Sequence, residues 1–174
     1  GVGTNPQTRC LFCKADSSAS GSVEHIIPQS LGNFHHVLPR GVVCDRCNNY
    51  FARKVEAPFV ESPAIKNLRF YQELENKRGR VPSITGVITP NIPALVTRRP
   101  RENLTSAEVS AEALKAISSR PNGRFIVPLT GPTPSDSVIA RFLAKVALES
   151  MAQRLVNFPD GLAYLCDEHQ LDPL

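Results

Sequence analysis

The chain has 174 residues, and its shares of hydrophobic residues (41%) and charged residues (21%) are typical of a folded soluble protein, which excludes a disordered tail, a collagen and a membrane span. Its length predicts one domain, or a small module attached to a larger one. The net charge of +4 permits a polyanionic partner but does not require one. No apolar run reaches about 18 residues and no signal-peptide pattern occurs, so we expect a cytoplasmic protein with no membrane partner.

Two identical cysteine pairs dominate the first region, which we place at residues 1–56. The C-x-x-C turns begin at Cys10 and Cys44 and can direct four thiolates at one point, with zinc-sulfur distances of about 2.3 Å. Two disulfides are disfavoured without a secretion signal, and a redox motif needs only one pair. We therefore predict a structural Zn²⁺ site. Its four ligands are Cys10, Cys13, Cys44 and Cys47.

The same region contains the signals of three short elements. Residues 22–27 are rich in β-branched side chains and stop at Pro28, which predicts a strand, and residues 41–43 predict a second strand that leads into the second cysteine pair. Residues 45–55 lack Gly and Pro and offer an apolar face, which predicts a helix. The predicted order is strand, loop, strand, helix, and the fold class is α+β.

The remainder, residues 57–174, is predicted to be an accessory α+β region, either separate or packed on the module as one domain. Prolines punctuate residues 57–134, where we predict a helix at 64–75, strands at 81–89 and 124–127, and a short helix at 106–117. The clearest helix is predicted at 136–156. Its predicted buried face consists of Ile139, Phe142, Leu143, Val146, Ala147, Ser150 and Met151. The fifth cysteine, Cys166, lies in an apolar run and is expected to be buried.

Three polar residues stand beside the cysteine pairs. The dipeptide Glu24-His25 lies between the pairs, and Asn48 follows the second pair directly. A zinc clip would hold the dipeptide against the first helical turn, so that a carboxylate, an imidazole and a carboxamide share one small site. The order C-x-x-C, Glu-His-Ile-Ile-Pro, C-x-x-C-Asn resembles the HNH endonuclease family of the zinc-knuckle type over about residues 10–54.

The resemblance implies a ββα-metal fold and hydrolysis of DNA phosphodiester bonds that leaves a 5′-phosphate and a 3′-hydroxyl. It implies that His25 is the general base, and that Glu24 and Asn48 bind a catalytic divalent metal such as Mg²⁺ or Mn²⁺, separate from the zinc. These residue types suit the chemistry. Histidine has an unperturbed pKa of about 6.5, and oxygen donors suit hard cations.

One position departs from the family. Many HNH sequences have an asparagine a few residues before the second cysteine pair, where this chain has Leu38-Pro39-Arg40. Its role could pass to Asn33, His35 or His36, and spacing does not choose among them. We favour His36 as an orienting or phosphate-contacting group and count it with His25 as a catalytic candidate.

The sequence gives weaker evidence for a DNA partner than for the metal sites. Basic residues occur at Arg46, Arg53 and Lys54 and in the run Arg98-Arg99-Pro100-Arg101, and pairing with Glu56 or Glu102 is the alternative. No basic patch is interleaved with aromatic residues, which favours double-stranded DNA. Asn48 could instead cap the helix. The alternative functions are a non-catalytic zinc-stabilised nucleic-acid-binding module and an RNA-directed nuclease. A homo-oligomer or a fused domain stays open, and by family habit the origin is bacterial or phage.

Overall fold

The computed structural model describes residues 9–167, which form an α+β protein of two compact units. The first unit contains residues 9–28, 33–59 and 135–167, and the second contains 29–32 and 60–134. The strands of the described residues are β1 (Glu24–His25), β2 (Val37–Leu38), β3 (Ile84–Ile88), β4 (Ile92–Arg99), β5 (Leu104–Glu108) and β6 (Phe125–Ile126). The α-helices are α1 (Asp45–Phe51), α2 (Ala57–Val60), α3 (Pro63–Tyr71), α4 (Ala111–Ser118), α5 (Asp136–Leu155) and α6 (Gly161–Asp167).

The first unit begins with a short antiparallel hairpin. β1 pairs with β2 so that Glu24 faces Leu38 and His25 faces Val37. The second strand was predicted at residues 41–43, and that prediction is wrong, because β2 lies earlier, at Val37–Leu38. Gly41 has φ +88°, which turns the chain, and the two valines that follow pack into the core instead of pairing in the sheet.

The helix predicted at 45–55 begins where the sequence indicates, because Cys44 caps α1 at Asp45. It continues as a π-helix over Ala52–Glu56 and then as α2. Pro58 lies at the second position of α2 and lacks a backbone N–H. The wider π-turn before it accommodates the proline without ending the helix, which explains why the helical segment outlasts the prediction.

The long helix α5 returns to the first unit, which is therefore larger than the predicted module of residues 1–56. Its bounds match the prediction, but its buried face matches only in part: Phe142 is buried as predicted, whereas Leu143 and Met151 are 57% and 47% exposed. The buried residues are Phe142, Lys145, Glu149 and Ala152. Two charged side chains thus lie on the face that packs against the rest of the unit. The core there is formed by Leu11, Ile26, Leu38, Val42, Val43, Ala152, Leu162 and Leu165.

The second unit is built on a four-stranded antiparallel sheet in the order β5-β4-β3-β6. The segments predicted as strands at 81–89 and 124–127 contain β3 and β6, and the helix predicted at 64–75 contains most of α3. The sequence did not predict β4, because Pro93 interrupts its strand pattern. Pro93 is tolerated because β5 pairs with β4 only from Leu95 onward.

The helix predicted at 106–117 is partly wrong. Residues up to Glu108 belong to β5, and α4 begins at Ala111 because Ser110, not Ser106, accepts the capping hydrogen bond from the Ala113 N–H at 3.1 Å. Cys166 is buried, as expected. Over residues 9–167, every helix is too short or too polar to cross a bilayer.

Candidate metal centre and adjacent polar site

The four paired cysteines converge on one point. Their sulfur atoms all lie within 4.8 Å of one another, and the Sγ atoms of Cys13 and Cys44 are 3.7 Å apart. That separation is too long for a disulfide, whose sulfur atoms are about 2.05 Å apart. It is close to the edge of about 3.8 Å that a tetrahedron with zinc-sulfur bonds of about 2.3 Å requires. The cluster could therefore hold a zinc ion.

Local backbone geometry builds the two cysteine turns. Lys14 has φ +63°, and its N–H donates to the Cys10 carbonyl at 3.0 Å, which closes the first turn. The N–H of Cys44 donates to Cys10 Sγ, and the N–H of Cys47 donates to Cys44 Sγ, both at 3.4 Å. Burial, followed by the nearby charge of Cys10, raises the pKa of the Cys47 thiol far above its usual range. A bound cation would reverse that effect, because it stabilises thiolates.

Glu24 and Asn48 meet where β1 approaches α1. Glu24 is only 3% exposed, whereas His25, the next residue on the strand, is half-buried, as expected for side chains on opposite faces of a strand. Asn48 Nδ2 donates to Glu24 Oε2. Asn48 does not cap α1: its N–H donates to the Cys44 carbonyl at 2.9 Å within the helix, and Cys44 is the cap. The capping interpretation of Asn48 is therefore wrong.

A buried lysine lies directly behind the dipeptide. The Nζ atom of Lys145 on α5 is 2.8 Å from Glu24 Oε1, 3.1 Å from Glu56 Oε1 and 2.6 Å from Glu149 Oε2. It also donates to the backbone carbonyls of His25 at 3.0 Å and Ile26 at 3.3 Å. We call Glu24, Glu56, Lys145 and Glu149 the buried charge cluster. Its last two members, Lys145 and Glu149, were not predicted from the sequence, although they continue the helical spacing from Phe142 to Ala152.

Burial and mutual contacts shift the pKa values of two members of the buried charge cluster, Glu149 and Lys145. Burial, followed by a hydrogen bond with Glu24, raises the pKa of Glu149 to about 10, so Glu149 is protonated at neutral pH. In the described part of the chain, Oε1 of Glu149 is buried without a hydrogen-bond partner, and Oε1 of Glu24 is buried with only the Lys145 ion pair. A proton on Glu149 supplies the missing bond. Burial lowers the pKa of Lys145, but the carboxylates of Glu149, Glu24 and Glu56 outweigh it and raise that pKa above its ordinary value.

Asn33 organises the loop between β1 and β2. Its side chain is buried, and its Nδ2 donates to the carbonyls of Ile27 at 2.8 Å and His36 at 3.0 Å. Its Oδ1 accepts from the N–H groups of His35 at 3.2 Å and His36 at 2.9 Å. The side chains of His35 and His36 are exposed. Of the three candidates for the missing asparagine, Asn33 is the one whose side chain ties the two sides of this loop.

The basic residues of the motif helix are exposed. Arg46, Arg53 and Lys54 lie on α1 or the π-helix that follows it, and Arg53 Nε donates to Asn49 Oδ1 at 2.7 Å. Glu56, the alternative partner, contacts Lys145. The exposed side chains of Arg46, Arg53 and Lys54 offer positive charge that a phosphate backbone could contact.

The basic run of the second unit is largely occupied by partners. Arg98 Nε contacts Glu73 at 3.0 Å, and Arg101 contacts Glu75 at 3.5 Å. Arg99 pairs with Glu102 at 3.7 Å, as the alternative interpretation anticipated. The exposed pairs of Arg99 and Arg101 are weak, whereas Arg98 also donates to Thr105 Oγ1 at 3.1 Å and to Asn103 Oδ1 at 2.8 Å.

The hairpin and the helix thus lie beside a cluster of four cysteines that could hold a metal ion, with Glu24, His25 and Asn48 on the same elements. Residues 10–63 match a family model described as HNH endonuclease, which confirms the resemblance inferred from the cysteine pairs and the Glu24-His25 dipeptide. Comparison with curated proteins and with solved structures gave no match for this chain.

Proposed function

We propose that this chain is a metal-dependent HNH endonuclease that hydrolyses phosphodiester bonds of double-stranded DNA. The observation that supports the proposal best is the contact between the Glu24 carboxylate and the Asn48 amide, inside the segment that matches the family. The two residues are far apart in the sequence and have no reason to meet in a module that needs only its cysteines. We also propose that residues 10–54 are a ββα-metal module and that the remainder is accessory.

His25 is the proposed general base. Its half-buried position on β1 leaves the imidazole accessible to a water molecule, and an imidazole is the side chain best suited to take up a proton near neutral pH. Strand pairing with Val37 and the Lys145 contact to its carbonyl hold the His25 backbone in place. The base would take the proton from the attacking water while the phosphate oxygens face the surface of the module.

Glu24 and Asn48 are the proposed ligands of the catalytic metal, and their donor atoms fit that role. Glu24 Oε2 is the oxygen not held by Lys145, and a half-turn of the Asn48 carboxamide places Oδ1 where Nδ2 lies. Two oxygens facing each other at that point repel unless a cation lies between them. Hard oxygen donors suit Mg²⁺ or Mn²⁺. When bound, such a cation supplies electrostatic stabilisation to the pentavalent phosphate and to the leaving oxygen.

Cys10, Cys13, Cys44 and Cys47 are proposed to hold a structural zinc that is distinct from the catalytic metal. The zinc would fix the start of α1 relative to residues 9–16, and thereby Asn48 relative to Glu24. We propose that Asn33 takes the orienting role of the family's middle asparagine, because it ties the loop internally. His36 keeps its predicted role as a contact to phosphate from the exposed side of that loop.

The test is cleavage of supercoiled plasmid DNA with Mg²⁺, Mn²⁺, Ni²⁺ or chelator, for the wild type and matched variants. His25→Ala should lower the cleavage rate by about 10²- to 10⁴-fold, whereas His35→Ala, an exposed histidine nearby, should retain it. Asn48→Ala should lose metal-dependent cleavage, and its neighbour variant Asn49→Ala should not. A His25→Ala protein with wild-type zinc content, circular dichroism and cleavage would disprove the base assignment.

The alternative is a zinc-stabilised module that binds nucleic acid without cleaving it. One observation favours it: Glu24 is buried and already paired with Lys145, as a purely structural carboxylate would be. This alternative predicts salt-dependent retention of plasmid DNA and no nicking with any metal, in protein that carries one zinc per chain. Metal-dependent nicking by the wild type, absent in the His25→Ala variant, would exclude this alternative.

A further inference from the structure

We propose that Lys145 is a positioning residue of the nuclease site, which fixes the Glu24 carboxylate and the His25 backbone from behind. The inference rests on the proposed function. It concerns a residue outside the segment that matches the family, because Lys145 lies on α5, some eighty residues beyond position 63.

The geometry ties Lys145 to both members of the dipeptide. Its ammonium group faces five oxygens at 2.6 to 3.3 Å, and two of them belong to Glu24 and His25. The Lys145 side chain is 2% exposed. Because Glu24 Oε1 is held by Lys145, only Oε2 is left to face Asn48. The lysine therefore selects which oxygen of Glu24 is presented to a metal, and in which direction.

Stability alone does not account for a charge at this position. Burying an ion pair removes two charges from water, and replacing such pairs with apolar residues is often neutral or stabilising. Phe142 and Ala152 lie on the same buried face of α5, so apolar side chains at positions 145 and 149 together would complete an apolar stripe. What an apolar residue could not do is hold the carboxylate of Glu24 and the carbonyl of His25 at fixed positions.

The experiment separates positioning from folding and from metal binding. Lys145→Met/Glu149→Leu replaces Lys145 and its nearest contact, the protonated Glu149, by apolar residues, and Lys145→Arg keeps the charge. Arg154→Met, which removes an exposed cation from the same helix, is the control. For each protein, zinc content and thermal unfolding report the fold, free Mn²⁺ is measured by electron paramagnetic resonance without DNA, and the plasmid cleavage rate is measured at saturating Mn²⁺.

We expect Lys145→Met/Glu149→Leu to bind Mn²⁺ with a dissociation constant within about threefold of the wild type, because loss of a repelling positive charge offsets the loss of carboxylate orientation. Its saturated cleavage rate should fall by about 10- to 100-fold, the usual effect of removing a group that orients a metal ligand. Lys145→Arg should recover part of the rate, and Arg154→Met should behave as the wild type.

Three results would overturn the inference. The first is a wild-type cleavage rate in the folded, Mn²⁺-loaded double variant. The second is a parallel loss of Mn²⁺ affinity and cleavage rate. The third is a failure of every position-145 variant to fold. Either of these two results would mean that Lys145 has only a structural role. Absence of metal-dependent cleavage in the wild type is a different outcome, because it overturns the proposed function itself.

Discussion

Glu24 shows how a single carboxylate can face two environments at once. One oxygen lies against the Lys145 ammonium in the protein interior, and the other meets the Asn48 amide on α1. The interior contact offsets the cost of burying the charge, and the second contact leaves an oxygen directed at the proposed metal position. The Glu24 side chain on β1 therefore connects Lys145 in the core of the unit with Asn48 at the proposed metal position.

Protonation of Glu149 makes the stability of the protein depend on pH. The unfolded glutamate has a pKa near 4.5 and the folded one about 10, so between these values the folded state holds a proton that the unfolded state releases. The free energy of unfolding should therefore fall as pH rises through this window, by at most about 1.4 kcal/mol per pH unit from this group.

Glu149→Gln tests this assignment, because an uncharged amide of the same shape imitates the protonated acid and still accepts from Lys145. Urea unfolding of both proteins at pH 6 and pH 8.5 should show a smaller loss of stability for the variant. If Glu149→Gln and the wild type lose equal stability between the two pH values, Glu149 is not the protonated group.

The cysteine pairs and the Glu24-His25 dipeptide could be read from the sequence because each is a short local motif of fixed spacing. Lys145 could not, because its partners lie on β1 and on the π-helix, and only the tertiary fold brings them together. A charged residue on a helix is expected to face solvent, so the predicted buried face of α5 omitted Lys145 and included Leu143 and Met151, which are exposed. The signal that was available is the combination of Lys145 and Glu149 four residues apart, in line with Phe142 and Ala152.

At the scale of elements, the hairpin is too short to hold itself together. β1 and β2 contain two residues each, and isolated pairs of that length are unstable in water. The Asn33 side chain supplies four hydrogen bonds across the connecting loop, as many as a carboxamide can readily make. The loop and the amide thus replace the strand length that the hairpin lacks.

Asn33→Ala should accordingly destabilise the protein by about 2 to 4 kcal/mol, because it removes the side-chain partner of the Ile27 carbonyl and of the His35 and His36 N–H groups. Asn33→Asp keeps the acceptor oxygen and loses both donors, so its free energy of unfolding should fall between those of the wild type and the alanine variant. Urea denaturation with unchanged slope measures both effects. An alanine variant as stable as the wild type would show that solvent satisfies these groups equally well.

Elements were predictable where one local signal decides them. The Ser135 and Cys44 caps mark the starts of α5 and α1, whereas residues 41–43 look like a strand by composition and form a turn because Gly41 takes a positive φ. β4 was missed for the converse reason, since a proline is compatible with a strand only where one neighbour is absent, and neighbours are decided by the fold.

At the scale of the whole molecule, the two units differ in what stabilises them. The second unit has a sheet of four paired strands over its own core of Phe70, Val81, Ile84 and Val96. The first unit has two-residue strands, and residues 9–22 are held mainly by turns. A segment with so little regular structure requires a further constraint, and the cysteine cluster is in a position to supply it.

Zinc should therefore bind with one ion per chain, and its removal should unfold the first unit. Cys44→Ser removes a buried ligand that also caps α1, and it should abolish zinc binding and lower the helical signal in circular dichroism. Cys166→Ser is the matched control, because Cys166 is equally buried but lies outside the cluster; it should keep the zinc and cost about 1 kcal/mol. A strong chelator should reproduce the Cys44→Ser spectrum in the wild type and leave β-sheet signal from the second unit. Full retention of the wild-type spectrum in a zinc-free protein would mean that the packing of α5 and α6 on the hairpin suffices without the metal.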